Sequence, residues 1–216
     1  MKRRHLIFIA IFTILGLITL QIPFTRLLGS SAKFTLYDFL APTAGAFLGT
    51  LPGVISVFLM QILNIVLHGG KIADLGGAIR LFPVLFGVFY FAKKRTVNIF
   101  IPLVAIIAFN FHPIGRSAWQ YSMFWLIPIA AHFWRKNLFV RSIGATFTAH
   151  AVGGALWVWA FGLTREMWLA LIPQTAMERI LMALGITAFY LLFSKVLRYA
   201  SKHRFSAYLT KTLHLN

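Results

Sequence analysis

The chain contains no cysteine, and among its 216 residues only four side chains are acidic. Without thiols there can be no disulfide, no thiolate zinc site, no iron-sulfur cluster and no cysteine nucleophile. Charged residues of either sign make up just 12% of the sequence. Soluble domains average about 25%. With 59% hydrophobic residues and a mean hydropathy of +0.80, a water-borne fold would have almost nothing to cover its surface. Intrinsic disorder is excluded from the other side, because it needs low hydrophobicity and this chain is 16% aromatic. There is no GxxxxGK[ST] loop to cradle nucleotide phosphates, no HExxH and no GxSxG. A built-in ATP motor, a common zinc protease and an elbow-type hydrolase are thereby removed. The composition predicts a polytopic membrane protein.

What is present supports that reading. The net charge is +17, yet the cations are gathered in short runs at the ends of apolar stretches. These runs are Lys2-Arg3-Arg4, Lys93-Lys94-Arg95, Arg135-Lys136, and a tail carrying Lys195, Arg198, Lys202, Arg204 and Lys211. Cations held at span ends follow the positive-inside rule and do not form a nucleic-acid surface, so no nucleic-acid partner is expected. Apolar segments cover residues 6–22, 36–51, 53–68, 79–92, 97–111, 117–134, 141–162 and 171–196. If the chain begins inside and each segment crosses once, 93–95, 135–141 and the tail fall inside. The loops 23–35, 69–78, 112–116 and 163–169 fall outside. Several segments are short for a hydrocarbon core of about 30 Å, so a re-entrant pair would reduce eight crossings to six. The expectation is an all-α transmembrane bundle of six to eight helices in the plasma membrane. It forms one integral membrane domain over 1–216, with cytoplasmic termini and a basic cytoplasmic tail from about residue 197. The small residues Gly29 to Ala32 after the first span resemble a cleavage site, but that span is read as retained.

Small residues recur at four-residue spacing in two places: Ala41, Gly45, Gly49, Gly53, and Ala145, Ala149, Gly153. Each ladder lays small side chains on one helical face and predicts close helix packing. Pro52-Gly53 is expected to end the first of these helices in a tight hairpin.

Of the four carboxylates, Asp74 and Glu166 fall in or beside loops, whereas Asp38 and Glu178 fall within apolar segments. A carboxylate inside a span costs about 3 kcal/mol or more, so each should face inward toward a partner such as Arg80, Arg116 or His150. They are read as buried structural or gating charges. Arg179 adjoins Glu178 in sequence, but neighbours one residue apart on a helix point in different directions. Gln61, Asn64 and His68 form a polar stripe on an otherwise apolar segment. That stripe either bonds neighbouring helices or lines a cavity. Asn110, Arg116 and Gln120 cluster with Trp119 and Tyr121 near an outer hairpin, suited to a small polar or aromatic ligand. With His150, these residues are the candidate ligand contacts; Trp119, Trp157 and Trp168 read equally well as an interfacial belt. No clustered ligand set points to a metal, and no cofactor is expected.

The stretch Asp38-Phe39-Leu40-Ala41-Pro42-Thr43-Ala44-Gly45-Ala46-Phe47-Leu48-Gly49, then Pro52 to Val57 and Gly69-Gly70, resembles the second-to-third helix hairpin of S components of energy-coupling factor transporters. Ala149 to Gly154 and Glu178 to Gly185 are similar to proteins grouped with that class. The resemblance implies a small helical membrane subunit that captures a vitamin or similar solute from outside. It implies as partners a transmembrane coupling subunit and paired ATPases. Two other readings fit the residues: an intramembrane enzyme acting on a lipid-linked substrate through Glu178 or Asp38 beside His150 or Arg116, and a noncatalytic scaffold.

Overall fold

A computed structural model of the chain describes residues 3–26, 33–72 and 74–200. Lys2, the Gly29 to Ala32 cleavage-like residues and the tail beyond residue 200 lie outside the described residues. The apolar runs become helices because only a helix satisfies its own backbone polar groups away from water. α1 (Arg3–Leu20) leads to two short antiparallel strands, β1 (Pro23–Arg26) and β2 (Lys33–Thr35), with Thr25 opposite Phe34 and Arg26 opposite Lys33. This short pair interrupts an otherwise mostly helical chain. Pro23, Thr25, Phe34 and Thr35 suit extended backbone, and the Leu36 amide closes the pair onto the Ile22 carbonyl at 3.0 Å.

The segment 36–51 is not one helix either. It runs as α2 (Tyr37–Leu40), a 3-10 turn (Ala41–Thr43) and α3 (Ala44–Phe47), and it stops at Gly49, where φ is +92°. The reversal therefore sits at Gly49, the residue that tolerates this backbone. Pro52 and Gly53 lie in the first turns of α4 (Thr50–Leu67), where a proline's missing donor costs nothing. The small-residue ladder is thus split between two helices. Gly53 packs on the Ala44 carbonyl and Gly45 Cα, where an added Cβ would lie 2.9 Å from each, and Gly45 packs on the Val88 carbonyl of α6.

α5 (Leu75–Arg80) starts on an Asp74 cap, whose Oδ1 accepts from the Gly77 amide at 2.7 Å, and α6 (Pro83–Ala92) continues it. α7 (Val97–Phe111) follows. The apolar segment 117–134 is likewise broken, into α8 (Pro113–Ser117), α9 (Trp119–Ser122), a 3-10 turn (Met123–Trp125) and α10 (Leu126–Phe133). α11 (Leu138–Ala160) opens on Asn137, whose Oδ1 accepts from the Val140 amide, and α12 (Arg165–Ala200) is a 36-residue helix.

α11 is the central element, packed against α6, α7, α10 and α12. Its small residues allow this. The Trp125 indole covers Gly154, where a Cβ would lie 2.6 Å from the ring. Two large apolar centres result, one around Phe12, Tyr37, Phe47 and Met60, the other around Phe109, Trp125, Trp157 and Trp168, with a smaller third around Tyr90, Phe91 and Ile186.

Three helical stretches, Thr50–Leu67, Leu75–Ala92 and Arg165–Tyr199, are long and apolar enough to cross a membrane. Their outward faces are greasy: Leu59, Leu63 and Val66 of α4 and Leu184, Leu191 and Leu192 of α12 are all exposed. Polar groups turn inward instead. Arg135, in the loop before α11, is 7% exposed and donates to the Tyr90 and Phe91 carbonyls that end α6, at 2.7 and 3.2 Å. Burial pushes this guanidinium down to about 10, so it remains charged at neutral pH and complements the helix C-terminus.

Candidate functional site

A cavity of about 120 Å³ lies between the N-terminal half of α12, the C-terminal half of α11, the α5–α6 junction and the β1–β2 pair. The two long helices line it by periodicity. Ala145, Ala149, His150, Gly153, Gly154 and Trp157 share one face of α11; Gln174, Thr175, Glu178, Arg179 and Met182 share one face of α12. The small residues of the second ladder therefore do more than pack helices. They leave the room that the cavity occupies.

Asp38 and Glu178 both line this space. Asp38 Oδ2 accepts from Arg80 Nη2 at 2.6 Å and from the Thr35 amide at 2.8 Å. Glu178 Oε1 accepts from Thr25 Oγ1 at 3.0 Å and Gln174 Nε2 at 2.9 Å. Its Oε2 lies 3.5 Å from Arg179 Nη2. That contact corrects the expectation that residues 178 and 179 diverge: the flexible guanidinium stem spans the angle that separates their Cβ positions. Arg80 and Arg179 also both lie against the Phe34 ring, at 5.1 and 4.5 Å from its centre. The hairpin is thus held over the cavity by one hydroxyl contact and two cation–π contacts.

A hydrogen-bond chain crosses the back wall. Trp125 Nε1 donates to His150 Nδ1 at 3.0 Å, His150 Nε2 lies 3.0 Å from Tyr121 Oη, and Tyr121 Oη lies 3.0 Å from Thr175 Oγ1. An indole N–H can only donate, so His150 Nδ1 is the acceptor and the ring is neutral with its proton on Nε2. Nε2–H then donates to Tyr121 Oη, either hydroxyl can donate in the Tyr121–Thr175 bond, and one of their two protons is left unspent.

Of the expected ligand contacts, only His150 lines this cavity. Gln61 is buried against the α5–α6 junction, donating to the Leu81 carbonyl at 3.1 Å. Asn64 accepts from Gln21 of the α1 end at 2.7 Å, and exposed His68 bonds the Asn64 carbonyl of its own helix. The stripe therefore joins helices, because α4 turns that face toward α1 and α6. Asn110 donates to the Ile106 carbonyl and Ser122 Oγ, exposed Arg116 donates to the Asn110 carbonyl, and Gln120 lies apart. Asn110 and Arg116 belong to the α7–α8 corner and Gln120 to α9, and none of the three lines the cavity. Trp119 is 51% exposed, but Trp157 and Trp168 are 7% and 2% exposed and line the cavity, which corrects their assignment to an interfacial belt. Sequence reasoning missed Arg26, Phe34 and Thr175 as lining residues. The first two are placed by strand pairing, and Thr175 by its position three residues before Glu178 on the same face of α12, a signal available in the 3.6-residue period.

The chain is 24% identical to the uncharacterized protein MJ0923 of Methanocaldococcus jannaschii, in an alignment that covers 89% of this chain and 72% of the relative. No protein-family profile matches the chain, and no solved structure matches it.

Proposed function

We propose that this protein is the solute-binding transmembrane subunit of a micronutrient uptake system in the plasma membrane, energised by separate coupling and ATPase subunits. The observation that carries the reading is the cavity itself. It is apolar and aromatic over most of its wall, with charged groups contributed by four separate elements, β1, α2, α5 and α12, the composition of a small-molecule site. Asp38 and Glu178 line it, Asp74 caps the neighbouring α5 and Glu166 opens α12, whereas Lys93, Lys94, Arg95, Arg135 and Lys136 sit in the loops after α6 and α10 and Lys195 and Arg198 toward the end of α12. That asymmetry supports a cavity on the outer side, cytoplasmic termini and six to eight crossing segments. The missing phosphate-binding loop agrees with a motor supplied in trans. Glu178 accepts two hydrogen bonds on Oε1 and faces Arg179 on Oε2, which favours a structural carboxylate over the general base of an intramembrane enzyme.

The test is thermal unfolding of the detergent-purified protein against a panel of vitamins and related metabolites, with a search for co-purifying ATPase. At least one solute is expected to stabilise it saturably. If none does and no ATPase accompanies it, the reading fails.

A further inference from the structure

The cavity has more hydrogen-bond donors than the protein uses. Three of its lining residues keep a buried N–H without any partner in the protein: Arg80 at Nη1, Arg179 at Nε and Trp168 at Nε1. Arg179 and Trp168 are 3% and 2% exposed, so water does not freely relieve them. The Tyr121–Thr175 pair adds a fourth donor, because the chain running from Trp125 through His150 leaves one of their two hydroxyl protons unspent. The acceptors, by contrast, are engaged: Asp38 Oδ2 and Glu178 Oε1 each already take two bonds. Among the lining residues Arg26, Arg80 and Arg179 outnumber Asp38 and Glu178, with Arg26 itself exposed. A buried donor without an acceptor costs about 1–3 kcal/mol. A guest that brings acceptor oxygens removes that cost, and one negative charge on it balances the lining cations.

The remainder of the wall specifies what carries that charge. Tyr121 and Trp168 meet edge-on, with centroids 4.8 Å apart, and Trp157 and Met182 complete an apolar surface. The volume of about 120 Å³ is near the roughly 150 Å³ of an apolar cavity known to take benzene. There is room for one ring and a small substituent.

From these donors, this charge and this volume we infer that the solute is a small planar organic monoanion, a carboxylate on a single aromatic ring. Its oxygens lie on the Arg80–Arg179 side and its ring against Tyr121, Trp157 and Trp168. The inference rests on the solute-binding reading and narrows it to a chemical class.

Benzoate, benzamide, benzylamine and inorganic phosphate are the probes, each titrated against the detergent-purified full chain while thermal unfolding is followed. Benzoate is expected to stabilise saturably and to bind at least about tenfold more tightly than its uncharged isostere benzamide, the usual gain of a charge-assisted hydrogen bond. Benzylamine and phosphate are expected to give no saturable shift. Benzamide or benzylamine binding as well as benzoate overturns the anion class while leaving the solute-binding reading standing. Phosphate binding without benzoate overturns the ring. No shift with any probe overturns the inference, and the metabolite panel then decides separately whether a solute of another class binds. Arg179→Gln is expected to erase the preference for benzoate over benzamide. Because that arginine also holds Glu178, Thr175→Val carries the test independently. It keeps the side-chain shape, removes one of the two hydroxyls that end the chain, and is expected to weaken benzoate about three- to tenfold with benzamide changed less. An unaltered benzoate affinity in a folded Thr175→Val protein removes that donor from the site and overturns the assignment of the wall.

Discussion

Asp38→Ala should destabilise the fold through the arginine that it leaves behind. The Asp38–Arg80 pair is 2.6 Å long, with the two side chains 14% and 18% exposed, and Asp38 also accepts from the Thr35 amide. Opposite unit charges with centres roughly 4 Å apart attract by about 4 kcal/mol at an effective dielectric of about 20. Truncating one member of a buried pair typically costs about 3–5 kcal/mol, chiefly because the other charge is stranded. The residual exposure lets water recover part of this, so the expected loss is about 2–3 kcal/mol. The assay is unfolding of the detergent-solubilised protein by titration with a denaturing detergent, followed by the fluorescence of its six tryptophans. The reasoning makes a second demand: Asp38→Ala combined with Arg80→Met should be more stable than Asp38→Ala alone, since the stranded charge is gone. A single-variant loss below about 0.5 kcal/mol, the range of an ordinary surface change, refutes the reasoning, as does a double variant that recovers nothing.

Three further outcomes follow from packing and hydrogen bonding. Gly45→Ala drives a methyl to 2.5 Å from the Val88 carbonyl, a backbone atom that cannot step aside, and should lower stability by about 1–3 kcal/mol. Gly153→Ala meets only Pro83 Cγ at 3.4 Å, so it should leave the unfolding midpoint nearly unchanged while narrowing the cavity and weakening any guest. Gln61→Leu with Asn64→Leu should cost about 1 kcal/mol in the same assay, near 0.6 per lost interhelical bond, and should not alter solute binding, because neither residue lines the cavity.

The helices that read most clearly from the sequence, α1, α4, α7, α11 and α12, are those in which a long apolar run coincides with one unbroken element. The interior placement of Asp38 and Glu178 was legible for the same reason: hydrocarbon penalises a free carboxylate, so its direction is set before any partner is known. Less legible were features that depend on which helix lies next door. The Gln61-Asn64-His68 stripe has a single pattern whether it meets a cavity or the ends of α1 and α5, and only packing decides. Trp157 and Trp168 look the same as belt residues until the burial of the α11–α12 corner is known. The β1–β2 pair was hidden because its seven paired-strand residues are too few to show an alternating pattern among the surrounding apolar runs.

One property of α12 carries a mechanical consequence. Thirty-six residues at 1.5 Å each make a spar about 54 Å long, and hydrocarbon about 30 Å thick cannot swallow it even at a steep lean. Past Pro173 no proline interrupts it, so the turns bearing Lys195 and Arg198 keep a fixed phase with the wall that holds Glu178 and Arg179. A single alanine inserted after Ser194 would swing those two cations by about 100° around the axis, and four alanines would bring them back almost into register.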